Sequence, residues 1–219
     1  MFKIDKDSVF EVIIVMLFAI ILITILLTHI VYPWFSWGAS ALLLLLAIAN
    51  LLFHRVPERK CPGNARTVTA VADGQVVEIG KVQENEWIRG ECLKVSIYMN
   101  FFDVHANFWP VDGKVDYCQY YKGRKRLAFS PKASEDNEHS CTGLVTPDGY
   151  KVFFKQLAGS FARRIVCYSE PGLEVRAGEQ CGIIKFGSRI DLYLPLEAHL
   201  EVKTGERVRA CESVIATLQ

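Results

Sequence analysis

Two long apolar runs, separated by a short aromatic connector, dominate the first part of the chain. They extend over Val12–Val31 and Trp34–Phe53, and no Lys or Arg occurs between Lys6 and Arg55. Each run has about 20 residues, the length that crosses the hydrocarbon core of a bilayer as a helix. The pattern therefore predicts two transmembrane helices joined by a tight turn.

The positive charges that flank the two runs indicate their orientation. Lys3 and Lys6 precede the first run, Arg55, Arg59 and Lys60 follow the second, and the connector has none. Positive flanks remain preferentially in the cytoplasm. Both ends of the hairpin, and the domain that follows it, are therefore expected on the cytoplasmic side of the cell (inner) membrane.

Two other interpretations of the apolar region remain open. A secretory signal peptide could end near residues 39–41, but the apolar run LLLLLAIA would then follow the cut directly, and the first run exceeds a usual signal core. The runs could also be two buried helices of a soluble core, although neither of them shows a polar face.

The rest of the chain has the pattern of a β protein. After a polar linker with two prolines and a glycine (His54–Asn64), short runs rich in β-branched and aromatic residues alternate with Asp-Gly turn signals. Only FARRIVCY (161–168) and the stretch around ASEDNEH (133–139) could be helical, and the first could equally be a strand. We therefore predict a mainly β fold, with a membrane anchor over residues 1–60 and a compact, barrel-sandwich-like domain over residues 61–219.

Charge and cysteine content narrow the functional classes. The formal net charge is +1, which gives no indication of nucleic-acid binding. The seven cysteines are widely spread without CxxC or CxxH, so zinc and redox motifs are not indicated and we expect reduced, buried thiols. A metallo-endopeptidase is not indicated either, because an HxH pair is absent.

A Gly-Ser pair inside a predicted strand, Gly187-Ser188 in KFGSRIDLYLP, is the first candidate for chemistry. A serine hydroxyl can attack the carbonyl of a preceding glycine when the turn is strained and a base is near. His105 is the candidate base, and Asp73 in VADGQV could orient it. A bulge, a buried histidine and a turn aspartate would explain the same positions, and the spacing alone does not show that they meet.

Glycine turns leave a second class of function open. The turns near residues 172, 178 and 205 resemble those of lipoyl-type domains, which would make the chain a membrane-tethered carrier or adaptor module. A lipoyl or biotinyl carrier needs an exposed lysine at a hairpin tip. Lys185 lacks the usual flanking residues of such a tip.

Several longer motifs occur in order between Phe53 and Pro195. They are FHRVPER (53–59), VADGQV (71–76), FFDVHANFWPVDGKV (101–115), KASEDNEHS (132–140), QLAGSFARRIVCY (156–168) and GIIKFGSRIDLYLP (182–195). Together they resemble the phosphatidylserine decarboxylase family in its short bacterial and archaeal form. Val56, Val71 and His139 stand where that family usually has Asp, Pro and Arg, and Phe108 stands where longer members have a second histidine.

The resemblance implies a pyruvoyl-dependent lyase that makes its own cofactor. Ser188 would attack the carbonyl of Gly187, with His105 as base and Asp73 orienting it. The cut between residues 187 and 188 would give a β fragment and an α fragment that begins with a pyruvoyl group derived from Ser188. Because Phe108 replaces the second histidine, His105 would serve both self-cleavage and decarboxylation.

The implied reaction converts phosphatidylserine to phosphatidylethanolamine, a step of phospholipid biosynthesis, through a Schiff base to the pyruvoyl group and without metal or PLP. The substrate would be reached in the bilayer, and a homodimer is possible. Arg163, Arg164 and Arg189 are candidates for binding phosphate or carboxylate. The aromatic residues of the His105 motif would contact either acyl chains or the core: Phe101, Phe102, Phe108 and Trp109.

Overall fold

The computed structural model describes residues 2–30, 32–123, 137–159, 164–185 and 188–219. By its internal contacts the chain divides into two compact units, the first ending at Glu58 and the second beginning at Arg59. The boundary predicted from the sequence lies between residues 60 and 61.

The first unit is a helical hairpin. Helices α1 (Val9–His29) and α2 (Pro33–Phe53) each have 21 residues and are long and apolar enough to cross a membrane. Many of their large apolar side chains are exposed, whereas Ala19 and Ala47 are buried. A short antiparallel pair, β1 (Phe2–Ile4) and β2 (Arg55–Pro57), joins the two ends of the hairpin. The prediction of two long apolar helices is confirmed.

The second unit consists of short and medium-length strands. These are β3 Thr67–Thr69, β4 Gly74–Glu84, β5 Gly90–Met99, β6 Ala106–Phe108, β7 Gly113–Tyr121, β8 His139–Val145, β9 Lys151–Ala158, β10 Arg164–Cys167, β11 Glu174–Val175, β12 Gln180–Lys185, β13 Ser188–Leu194, β14 His199–Leu200, β15 Arg207–Val208 and β16 Val214–Thr217. The prediction of a mainly β domain is confirmed.

The strands form one large and two small antiparallel sheets. The large sheet has the order β11-β7-β8-β9-β13-β5-β4-β15, and the small sheets have the orders β10-β12-β6 and β14-β16-β3. The stretch FARRIVCY contains β10, so its described part is a strand rather than a helix. Most of ASEDNEH lies outside the described residues.

The larger of the described hydrophobic clusters joins the three sheets. Ile190 of the large sheet, Ile184 of one small sheet and Ile215 of the other are fully buried and belong to the same cluster. Strand β13 lies between β9 and β5, and all its residues are buried, including the polar ones. The segment that begins with Ser188 is therefore the interior of the domain rather than its surface.

The Asp-Gly turn ahead of β4 depends on the absence of a side chain at Gly74. A Cβ at this position would lie 2.3 Å from the backbone oxygen of Tyr98 in β5. Glycine thus allows the close approach of β4 to β5 at the point where the chain leaves Asp73. The turn fixes the start of the strand pair that carries Met99.

Candidate active site

Ser188 is fully buried at the first position of β13. It faces Met99 of β5 on one side and Ala158 of β9 on the other. Its hydroxyl donates to the Sδ atom of Met99 at 3.7 Å, a weak acceptor that leaves the oxygen lone pairs uncommitted to that contact. Gly187, the other half of the predicted cleavage site, lies outside the described residues.

His105 is fully buried just before β6, and one ring nitrogen has a defined role. Its Nδ1 lies 2.9 Å from the backbone oxygen of Asp103. A carbonyl oxygen can only accept, so the Nδ1 atom carries the proton and the lone pair of a neutral ring resides on Nε2. This tautomer is the one that a general base acting through Nε2 requires.

Backbone hydrogen bonds place the three predicted site segments at neighbouring positions. The N–H of Ile184 in β12 donates to the oxygen of His105 at 3.2 Å, and only Lys185 and residues 186–187 separate Ile184 from Ser188. The N–H of Phe108 donates to the oxygen of Val71 at 2.9 Å, next to the turn of Asp73. The segment of His105 therefore lies between the approach to Ser188 and the Asp73 turn.

The described contacts of Asp73 are not with His105 but with Arg59 and Ala210. Both carboxylate oxygens accept from the Arg59 guanidinium, with the Nη2–Oδ2 distance at 2.8 Å, and the N–H of Ala210 donates to Oδ1 at 2.9 Å. Burial alone would lower the pKa of Arg59, but its hydrogen bond with Asp73 and that residue's charge raise it. The Nδ1 proton of His105 is bound by the backbone oxygen of Asp103 and not by Asp73. That Asp73 orients His105 therefore stays a prediction.

Asp103 is a positioning residue that the sequence did not reveal. Its carboxylate accepts from the N–H of Asn100 at 2.9 Å and forms an ion pair with Arg207. These contacts close the turn between β5 and β6 and thereby fix the carbonyl that binds His105. The spacing of Asn100 and Asp103 is typical of a turn that a side chain stabilises, and it was the available sequence signal for Asp103. The pairing with Arg207 could not be inferred from the sequence, because the two residues are 104 positions apart.

A chain of buried polar side chains leads to Met99, the residue that also accepts from Ser188. Ser140 donates to Gln156 at 2.6 Å, and Gln156 donates to Asn107 at 2.8 Å. Asn107 in turn donates to Met99 Sδ at 3.9 Å, the same sulfur that accepts from Ser188. Buried polar groups are stable when they bond each other in this way. Polar residues within apolar strands were the only signal in the sequence.

The two described candidate arginines, Arg164 and Arg189, have different environments. Arg163 lies outside the described residues. Arg164, the first residue of β10, is exposed. Arg189 is 2% exposed and forms an ion pair with Asp191, with the Nε–Oδ1 distance at 2.9 Å and the Nη2–Oδ2 distance at 3.0 Å. Substrate binding remains a prediction for both described arginines. The exposed Arg164 fits this role better than the buried Arg189.

The aromatic residues near His105 separate into two groups. Phe108 and Trp109 are 3% and 2% exposed and belong to the interior. Phe101 and Phe102 are 50% and 84% exposed, in the turn that Asn100 and Asp103 close. Within the described ranges, no three His, Cys, Asp or Glu side chains are grouped as a metal ion would require.

Comparison with known proteins gives one consistent family. A family model described as phosphatidylserine decarboxylase matches residues 46–216. The chain is similar to a phosphatidylserine decarboxylase proenzyme of Desulfotalea psychrophila, 43% identical over 175 residues, which cover 80% of this chain and 82% of the relative.

Two further relatives carry the same name. The proenzyme of Parabacteroides distasonis is 40% identical over 186 residues, 84% of either chain. That of Nitrosomonas europaea is 42% identical over 172 residues, 78% of this chain and 79% of the relative. The matched region contains Asp73, His105 and Ser188. The chain therefore belongs to the phosphatidylserine decarboxylase family of carboxy-lyases.

Proposed function

We propose that this chain cuts itself between Gly187 and Ser188 and then decarboxylates phosphatidylserine to phosphatidylethanolamine at a membrane surface. Family membership and the names of the relatives, all proenzymes, support this function. The proposal is supported by two buried residues in neighbouring segments: Ser188 at the head of β13 and His105, whose Nδ1 faces the backbone oxygen of Asp103 and whose own backbone oxygen accepts from Ile184 of β12. A carrier or adaptor module is not favoured, because the relatives are named as decarboxylases.

In the proposed self-cleavage, the Oγ atom of Ser188 attacks the carbonyl carbon of Gly187 while His105 Nε2 takes the hydroxyl proton. The C–N bond breaks, and the nitrogen of Ser188 takes up a proton, so that an ester replaces the amide. Removal of the Cα proton of Ser188 then expels the carboxylate of Gly187 and leaves a dehydroalanine. Hydrolysis of that residue releases ammonia and leaves a pyruvoyl group at residue 188.

The burial of Ser188 fits the group that would be made from it. A pyruvoyl carbonyl supplies an electron sink for the loss of CO₂ from an amino acid. Met99 and Ala158 are the cross-strand neighbours of residue 188, so the group would lie between apolar side chains. His105 Nε2, once protonated, is suited to return a proton to the substrate carbon after CO₂ has left.

The test of this function is the release of CO₂ from carboxyl-labelled phosphatidylserine by the purified chain in mixed micelles. We expect CO₂ and phosphatidylethanolamine in equal amounts, without added PLP or metal. If the chain is cut but releases CO₂ from another amine-bearing lipid and not from phosphatidylserine, the proposed substrate is wrong. The proposed pyruvoyl cofactor would then still stand.

The helical hairpin supports a membrane location. Two helices of sufficient length and hydropathy precede the catalytic unit, and a phospholipid substrate stays in the bilayer. The positive residues before α1 and after α2 favour the cytoplasmic side of the cell membrane for the catalytic unit. Arg164, exposed at the head of β10, is the described candidate for the phosphate of the substrate.

Replacing Phe102 by serine is expected to lower activity on phosphatidylserine vesicles roughly tenfold, because an aromatic side chain in the interface contributes about 1–2 kcal/mol to binding. Activity on short-chain phosphatidylserine dispersed in detergent should stay near that of the unaltered chain. Leu173→Ser is the matched control, because Leu173 is also an exposed apolar residue, 41% exposed. It lies beside β11, an edge strand of the large sheet that is separated by four strands from β5, the strand that precedes Phe102. Equal losses on both lipid forms would contradict an interfacial role for Phe102.

Replacing Asp73 by asparagine keeps the shape of the side chain but removes its charge. If Asp73 acts on His105, self-cleavage should slow by about 100-fold or more, as for other carboxylates that support a catalytic histidine. Arg59→Gln is the comparison, because it removes the main partner of Asp73 and leaves the carboxylate. The measurement is the rate of chain cutting beside the melting temperature. Equal slowing in both variants would show that Asp73 only holds Arg59 and Ala210 in place.

A further inference from the structure

Two cysteines outside the candidate active site form a thiol pair. Cys118 lies in β7 as the cross-strand partner of Thr142 in β8, and the Thr142 hydroxyl lies 3.8 Å from the sulfur of Cys167, which ends β10. Both are free and partly exposed. The expectation that the cysteines are buried is therefore wrong for these two and for Cys61, which is also partly exposed.

Hydroxyl groups surround the sulfur of Cys167. Its Sγ lies 3.1 Å from Ser169 Oγ and 3.8 Å from Thr142 Oγ1, and the two hydroxyl oxygens are 2.8 Å apart. A hydroxyl that donates to a sulfur stabilises its thiolate form more than its thiol form. The geometry therefore favours the ionised form at Cys167 rather than at Cys118.

The electrostatics agree with this assignment. The hydrogen bond from Cys118, followed by the donors of Ser169 and Thr142, lowers the pKa of Cys167 despite its burial. The same hydrogen bond and burial raise the pKa of Cys118. One member of the pair is thus poised as a nucleophile, and the other remains a proton-bearing thiol next to it.

The other cysteines lack this environment. Burial raises the pKa of the Cys92 thiol to about 11 and raises those of Cys141 and Cys181. Cys61 and Cys211 also contact each other, but burial and the neighbouring thiol raise the pKa of Cys211. The Cys61–Cys211 pair is therefore a matched comparison: two adjacent thiols with no comparable set of donors around either sulfur.

We propose that Cys118 and Cys167 form an oxidisable dithiol in which Cys167 is the peroxide-reactive thiol and Cys118 the resolving thiol. The Cys167 thiolate attacks one oxygen of a hydroperoxide such as hydrogen peroxide, the O–O bond breaks, and hydroxide leaves and takes up a proton. The thiol of Cys118 then displaces the sulfenic hydroxyl of Cys167 as water and forms the S–S bond. In sum, two thiols and one peroxide give one disulfide and two waters.

The bond would connect two sheets of the domain. Strand β7 belongs to the large sheet, whereas β10 belongs to the small sheet in which Cys167 is paired with Gly182 of β12. The disulfide would tie β10, and through it β12, to the large sheet. Both cysteines precede residue 187, so the bond forms within one fragment, and the proposal does not depend on self-cleavage or on the substrate.

The experiment is peptide mapping of the full chain in detergent after one equivalent of hydrogen peroxide and blocking with N-ethylmaleimide. We expect a Cys118–Cys167 disulfide as the first product and Cys61 and Cys211 still blocked as free thiols. In the Cys118→Ser variant, dimedone should trap a sulfenic acid at Cys167. In the Cys167→Ser variant, Cys118 should remain reduced.

A second measurement needs no variant and is independent of folding defects. At about pH 6.5, iodoacetamide should alkylate Cys167 in the unaltered chain at least tenfold faster than Cys61, because only a thiolate reacts. Alkylation of Cys167 no faster than that of Cys61, or a first disulfide between any other pair, would overturn the proposal.

Discussion

The Ser188→Ala variant is expected to remain a single uncut chain, whereas the unaltered protein separates into two fragments under denaturing conditions. The reason is chemical: alanine has no oxygen to attack the carbonyl of Gly187, and no amide-to-ester shift can begin. Alanine is also smaller than serine and therefore fits the buried site, and among the described residues the hydrogen bond lost with the serine hydroxyl is the weak one to Met99. The effect should be complete rather than partial.

Intact mass spectrometry of both proteins in detergent makes the measurement. The smaller fragment of the unaltered chain should begin at residue 188 and carry a carbonyl instead of an amino terminus. Ser213→Ala is a matched control in the same fragment, because it also removes a serine hydroxyl, one that accepts from the N–H of Arg209. Cutting in Ser188→Ala, or an uncut unaltered chain, would contradict the proposed origin of the cofactor.

The Asp191→Ala variant is expected to lose about 3–5 kcal/mol of unfolding free energy, the range for a buried ion pair that loses one partner. Arg189 is 2% exposed and forms an ion pair with Asp191, whose carboxylate accepts hydrogen bonds from Arg189 Nη2 at 3.0 Å and from Ser96 at 2.6 Å. Without Asp191, the buried guanidinium would lose the carboxylate with which it forms its ion pair. The measurement is the denaturation midpoint of the full chain in detergent.

Two controls separate lost charge from lost volume. The double variant Arg189→Met, Asp191→Leu removes both charges and should recover most of the loss, because apolar replacements of a buried pair are often neutral or stabilising. Arg66→Ala breaks the exposed pair with Asp148 and should change the midpoint little. A midpoint for Asp191→Ala equal to that of Arg66→Ala would show that the buried pair contributes nothing.

Local pattern was enough to predict the elements of this fold but not their arrangement. The helices follow from two uninterrupted apolar runs, and the strands follow from β-branched runs between Asp-Gly turns. The order of the large sheet, with β13 between β9 and β5, results from pairings between segments far apart in sequence. Such pairings leave no periodic signal in either segment.

The same limit applies to the candidate site. Ser188 and His105 could be proposed because their residue types and motifs carry a chemical meaning. The partners of the site residues could not be proposed from the sequence. Arg59 pairs with Asp73, and Arg207 pairs with Asp103, only because the folded chain brings them together. Arg189 was a candidate for binding phosphate or carboxylate because of its guanidinium group. Its burial follows from the central place of β13, where both faces are covered.

The place of β13 has a consequence for the cut molecule. A break before Ser188 would turn residues 188–194 into the free end of a separate peptide, still hydrogen-bonded to β9 and β5 along its length. Such a peptide completes the sheet in the manner of a donated strand. Dilution alone would not release it, because dissociation would require the whole core to open. The lifetime of the two-chain enzyme would then equal the time that its domain takes to unfold.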